Sequence, residues 1–177
     1  DNTVQAWDKY QGPSDLGIAN PGSGGVAGSG YLQVTFQPSA APGDATAVVK
    51  GDASYLFAGG WSKDVWVQFD FLAQNAVPDH LQVWWAGADG DVWKSSDIAF
   101  TGGLGTWTTV GSPDFNPANW TPDSLGLGEE DFLTDLASIN WIGVYVWRGG
   151  TDEQIYGIDN FKLMVPEPGE WAMLAAG

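Results

Sequence analysis

The feature that most constrains this chain is a run in which apolar and polar residues alternate with period two, Val65-Trp66-Val67-Gln68-Phe69-Asp70-Phe71. Successive side chains on a strand point to opposite faces of a sheet, so Val65, Val67, Phe69 and Phe71 share one face and Trp66, Gln68 and Asp70 the other. A helix would scatter both sets around its surface. The same parity recurs in Leu32, Val34 and Phe36 against Tyr31, Gln33 and Thr35, and in Ile142, Val144 and Val146 against Trp141, Tyr145 and Trp147. The chain is therefore predicted to build sheets whose aliphatic side is buried.

Further strands are expected at residues 4–8, 45–49, 54–58, 80–86, 92–94, 106–110 and 156–165. Residues 11–30, with seven glycines and two prolines, read as loop, as does 112–127. Residues 128–139 form the one helical candidate. Glu129, Glu130 and Asp131 suit the helix dipole in its first turn, and Phe132, Leu133, Leu136 and Ile139 recur at helical spacing. Eight to ten short strands with one helical insert define an all-β fold, a two-sheet jelly-roll-like β-sandwich with one short helix. With 177 residues, one core suffices. We expect a sandwich domain over residues 1–165 and a tail over 166–177.

Twenty-two acidic and six basic residues give a formal net charge of −16, which repels phosphate backbones and excludes nucleic acid as a partner. Without cysteine there is no disulfide and no thiol chemistry. Catalysis finds little support. His80 is the single histidine and stands at a strand start beside a turn, where it reads as solvated. The glutamates, at 129, 130, 153, 167 and 170, occupy helix-start, loop or tail positions and offer no facing carboxylate pair for glycoside hydrolysis. The chain reads as a non-enzyme.

Eleven tryptophans are the second constraint. If Ile142, Val144 and Val146 are core, Trp141, Tyr145 and Trp147 point outward, and Trp66 and Trp84 do likewise beside Gln68, Asp70 and Gln82. Rings among hydrogen-bonding groups, here including Arg148, make a platform suited to sugars, whose C–H patches lie on aromatic faces while their hydroxyls need polar partners. Such rings also pack under loops or against a neighbouring subunit.

Strand parity in Tyr156-Gly157-Ile158-Asp159-Asn160-Phe161-Lys162-Leu163-Met164-Val165 puts Asp159 on the same side as Phe161 and Leu163, facing the core. A carboxylate there needs a partner, and calcium is a natural one. Asp8 on the first strand and Asp15 in the following loop are candidate companions, since jelly rolls commonly bring terminal strands together. Asp89 and Asp91 form a second candidate pair, in a sequence that is equally an ordinary turn. The segment resembles the closing strand, Ile-Asp-Asn-Phe-x-Leu, of jelly-roll carbohydrate-binding-like modules. That resemblance implies a structural calcium at or near the aspartate.

Beyond it, Val165-Pro166-Glu167-Pro168 followed by an apolar run resembles the start of the PEP-CTERM sorting signal of exported Gram-negative bacterial proteins. The run after Glu170 has seven residues, against about 20 needed to cross a bilayer, and no basic cluster follows. The chain as given is therefore not expected to be membrane-anchored. The resemblance implies a secreted, cell-surface or matrix protein of a Gram-negative bacterium that makes exopolysaccharide. Two functions then compete: a self-assembling structural subunit of a surface layer, matrix or filament, whose partners are copies of itself, and a module that binds matrix polysaccharide on its aromatic face. The first is preferred at this point, because a lone module with no attached enzyme has nothing to target.

Overall fold

The computed structural model describes residues 7–11, 16–38, 45–51 and 61–166. The strands expected at 4–8 and 54–58, Asp15, and the tail beyond Pro166 lie wholly or partly outside them.

Among the described residues, eleven strands form two antiparallel sheets. They are β1 (Trp7–Gln11), β2 (Gly17–Ala19), β3 (Leu32–Phe36), β4 (Ala45–Gly51), β5 (Trp66–Ala73), β6 (His80–Gly87), β7 (Val92–Ser95), β8 (Trp107–Gly111), β9 (Trp120–Pro122), β10 (Ile139–Trp147) and β11 (Gln154–Met164). One sheet runs β1-β4-β10-β6-β7-β9 and the other β2-β3-β11-β5-β8. The protein is thus an all-β, two-sheet sandwich with one short α-helix, as the alternation predicts. Two strands lie in segments read from sequence as loop: β2, only three residues long, and β9, whose Trp120 is buried. Neither is long enough to show a period.

The inward sets are the aliphatic and aromatic residues that parity assigns. Leu32, Val34 and Phe36, then Val67, Phe69 and Phe71, face Val83 and Trp85 on β6 and Ile142, Val144 and Val146 on β10 in one cluster. At one end of the sandwich this core is aromatic: Trp85 is fully buried among Trp93, Phe115, Trp120 and Phe132, at ring centroid separations of 5.1–6.1 Å.

The helix α1 (Glu129–Leu136) supplies Phe132 to that cluster. The Asp131 carboxylate accepts the Gly128 N–H at 2.8 Å and closes its first turn. It is shorter than its apolar spacing predicts. Leu133 is 44% exposed, and Ile139 opens β10 opposite Gly87 instead of adding a third helical turn.

The largest departure from parity is in β11. Tyr156 and Ile158 are core, yet Phe161 and Leu163 also pack on the core, so odd and even residues both face inward along one strand. Pairing with β5 slips between Asp159 and Lys162, and Asn160 has a φ of 50°. This β-bulge flips the side-chain phase once. Asp159 lies before the flip, on the same side as Gly157, and so points away from the core.

Candidate ligand-binding face

The outer surface of the six-stranded sheet carries an aromatic and polar ribbon built on its two central strands, β10 and β6. Their register sets Trp147 opposite His80, Tyr145 opposite Gln82, Gly143 opposite Trp84 and Trp141 opposite Ala86. His80 lies nearly parallel to Trp147, with centroids 4.6 Å apart and planes at 22°. Gly143 presents no side chain, and the Trp84 ring lies on the diagonal neighbour Tyr145, 4.2 Å away and tilted by 6°. The Lys94 ammonium sits 4.2 Å from the Trp84 centroid and pairs with Asp123. At the other end of β10, Tyr10 covers Trp141 at 4.4 Å.

Hydrogen bonds join the rings to their polar neighbours. Trp84 Nε1 donates to Gln82 Oε1 at 2.8 Å, Gln82 Nε2 donates to Asp97 Oδ1 at 2.9 Å, and Asp97 Oδ2 meets His80 Nδ1 at 2.7 Å. Asp97 also borders an open cleft of about 260 Å³ with Val77, Pro78, Asp79 and Phe100. Burial, and secondarily the Asp97 charge, push the Tyr145 phenol up.

Exposure separates contact surface from support. Trp147 is 36% exposed and Tyr10 46%, while Trp84 at 6% and Trp141 at 9% are covered by their neighbours. Trp84 and Trp141 are outward-pointing, as expected, but they hold up the ribbon and offer little free ring face.

The other residues predicted for this platform lie elsewhere. Trp66, Gln68 and Asp70 are on β5, in the other sheet, so they face out on the opposite side of the sandwich from Trp84, Trp141, Tyr145 and Trp147. There Asp70 accepts hydrogen bonds from Thr109 Oγ1 at 2.5 Å and Asn160 Nδ2 at 2.7 Å, beside a depression of about 80 Å³. Arg148 does not reach the surface at all. It is 1% exposed, its Nη1 donates to the carbonyls of Gln37 and Asp152, and its guanidinium lies 5.3 Å from the Phe36 centroid. The residue after Trp147 has opposite parity, and a guanidinium fits that inward position because backbone carbonyls await it.

Of the predicted metal ligands, Asp159 is held by protein donors. Asp159 Oδ2 accepts the Val26 N–H at 2.8 Å and the Ser29 hydroxyl at 3.3 Å, and Oδ1 accepts the Asn160 N–H at 2.8 Å. These donors already satisfy it: Asp159 pins the 20–30 loop to β11. Asp8 is exposed on β1, at the edge of the other sheet, and Asp15 lies outside the described residues. A different acidic group is present. One carboxylate oxygen from each of Asp89, Asp91 and Asp135 falls within 4.8 Å of the others. Burial, opposed by the Trp93 hydrogen bond and reinforced by Asp89 and Asp91, pushes the Asp135 pKa up to about 6.

Sequence reasoning missed His80, Lys94, Asp97 and Tyr10 at the ribbon. Lys94 stands at outward parity in its strand and was legible on that ground, whereas Tyr10 lies past the strand expected at residues 4–8, at a register slip in β1. Asp97 lies in a connection, where no period operates.

No protein-family model matches the chain, and no curated protein is similar to it in sequence. Solved structures do resemble it. The family 11 carbohydrate-binding module from Clostridium thermocellum, in complex with a beta-1,3-1,4-mixed-linked tetrasaccharide, superposes with a TM-score of 0.57 at 15% identity, over 92% of this chain and 90% of that one. The solution structure of CtCBM11 gives 0.60 at 18%, over 93% and 91%. The CBM22-1 xylan-binding domain of Paenibacillus barcinonensis Xyn10C gives 0.51 at 12%, over 92% and 87%. At these identities the likeness is one of fold: this is a β-sandwich of the architecture those carbohydrate-binding modules share.

Proposed function

We propose that the protein is a non-catalytic carbohydrate-binding module that holds a neutral glycan chain along the ribbon of the six-stranded sheet. The observation that carries this reading is the pair of stacked couples, His80 with Trp147 and Trp84 with Tyr145, set side by side with Gln82 and Asp97 hydrogen-bonded between them. Ring faces supply the apolar contact that pyranose C–H patches need, and the amide and carboxylate supply hydroxyl partners. From Trp141 to Trp147 the strand spans about 20 Å, a length suited to an oligosaccharide and not a single sugar. Fold neighbours described as binding a mixed-linked tetrasaccharide and xylan support the same ligand class.

The preference stated from the sequence, a self-assembling structural subunit, yields to glycan recognition, which the fold neighbours and the ribbon both support. Neutral glycans are favoured on charge. The net charge is −16, Lys94 is paired with Asp123, and Arg148 is buried, so an anionic chain meets repulsion without a free cation at the ribbon among the described residues. An extracellular or cell-surface location fits this ligand. Among the described residues no helix is long and apolar enough to cross a membrane.

The test is affinity electrophoresis and calorimetry against soluble mixed-linkage β-glucan and xylan. Trp147→Ala is expected to weaken binding at least about tenfold, equivalent to about 1.4 kcal/mol. Trp66→Ala, on the opposite face, is expected to leave it within about twofold. Equal losses from both substitutions, or no binding by the parent protein to any neutral glycan, would refute the assignment of this face.

A further inference from the structure

We propose that the cleft bordered by Asp97 takes a single neutral sugar branching from the glycan main chain, so that the ribbon selects substituted over linear polysaccharides. The inference rests on the ribbon reading and adds a substrate class to it. The cleft, about 260 Å³, has an apolar wall of Val77, Pro78, Ile98 and Phe100, with the Asp79 and Asp97 carboxylates beside it. Val77 is 50% exposed, an apolar side chain left to solvent at the cleft. Phe100 is partly covered, and its ring stands edge-on to the core ring of Phe71, with centroids 5.4 Å apart. An apolar wall with acceptors beside it suits a sugar ring, whose C–H side and hydroxyl edge need opposite partners.

Asp97 makes the cleft continuous with the ribbon. Its Oδ2 meets His80 Nδ1 and its Oδ1 accepts from Gln82 Nε2, while the same residue lines the cleft. Its side chain is 49% exposed, and each carboxylate oxygen has a second lone pair to offer a hydroxyl. Asp79 stands beside the stacked couple, its N–H donating to the Trp147 carbonyl at 2.9 Å. Among the described residues no hydrogen bond or ion pair engages its carboxylate. Gly149 leaves the room that this carboxylate occupies, since a Cβ there would collide with it.

The cleft lies on the flank of the ribbon and not along it. β10 covers one side of β6; on the other, past the end of β7 at Ser95, the Ile98 N–H donates to the Leu81 carbonyl at 2.7 Å and holds residues 97–99 alongside the start of β6. A main chain laid along β10 crosses the His80–Trp147 couple and passes the cleft, and a one-sugar substituent at that couple turns across His80 into it. Charge narrows the class further. Two carboxylates at the cleft, in a chain of net charge −16, repel a uronate or sulfated branch, so the substituent is an uncharged pentose or hexose. Linear and branched chains share the ribbon, and only the branched ones gain from the cleft.

The experiment is calorimetry of the whole chain with matched pairs of soluble oligosaccharides that share a main chain: a linear xylo-oligosaccharide against its arabinose-branched form, and a linear cello-oligosaccharide against its xylose-branched form. In at least one pair the branched member is expected to bind at least about tenfold tighter than the linear one. Ala99→Leu, which fills the cleft, and Val77→Asp, which places a charge on its wall, are both at exposed positions outside the ribbon. Each is expected to cut that preference to under about twofold and to leave linear-chain affinity within about twofold of the parent. Trp147→Ala is expected to weaken both members of a pair. Equal affinity within both pairs, tighter binding of the linear members, or a branched preference that survives both cleft substitutions overturns the inference, and linear binding that Trp147→Ala removes then leaves the ribbon standing. A parent that binds neither linear nor branched chains refutes the ribbon itself, and this inference with it.

Discussion

Trp147 and Arg148 are neighbours in the chain and opposites in the structure. The indole lies on the outer face beside His80, and the guanidinium is sealed between Phe36 and two carbonyls. Removing each should therefore move different observables. Trp147→Ala is expected to change stability by under about 1 kcal/mol while weakening glycan binding. Arg148→Ala leaves buried carbonyls unpaired and is expected to cost about 2–4 kcal/mol in urea denaturation. A binding loss from Arg148→Ala at unchanged stability would place its side chain at the surface after all. Titration offers a second check at this scale. Burial raises the pKa of Tyr31, Tyr145 and Tyr156 above the usual tyrosine value. Because the unfolded phenols lose protons first, their contribution to stability should be level below pH about 10 and fall as pH rises beyond it. Denaturation midpoints measured across that range test the sign, and Tyr145→Phe should flatten part of the slope.

Single elements show why alternation is a reliable guide only while pairing is regular. In β5, and in β10 from Trp141 onward, the core residues follow from parity; Ile139, also in the core, stands before a register slip in β10. In β11 one bulge at Asn160 brings both Ile158 and Phe161 onto the core and turns Asp159 outward, so extending the phase from Leu163 back to Asp159 gives the wrong face. Asn is among the few residues that tolerate the left-handed region, so Asp159-Asn160 carried a hint of the break. Asn160→Gly is expected to be nearly neutral, whereas Asn160→Val should destabilise by about 1–2 kcal/mol, measured by urea unfolding. If valine is tolerated as well as glycine, the bulge does not persist in solution. The helix makes a related point. Ile139 has the spacing to extend α1, but pairing with Gly87 claims it for β10.

At the scale of the molecule, the sandwich divides outward-facing rings between two surfaces. Trp66 shares the local parity of Trp84 and Trp147, yet they end on opposite sides because β5 and β10 belong to different sheets. The overall charge acts on the ligand wherever it binds. Uronate-rich polysaccharides are expected to bind more weakly than neutral ones at low salt, with the gap narrowing near 0.5 M salt, where screening shortens to a few ångströms. Stronger binding of the anionic chains at low salt would contradict a neutral ligand.

Local patterning alone determined that this chain makes sheets, which residues of its regular strands are buried, and that indoles project outward from β5, β6 and β10. These follow from side-chain period, which is a property of short stretches. Which rings share a surface, that Arg148 and Asp135 are enclosed, and that Asp159 is held by the 20–30 loop while Asp135 meets Asp89 and Asp91 were decided by the tertiary structure. Strand order, a one-residue slip in register and contacts between distant segments are set by how the sheets pack, and no local period encodes them.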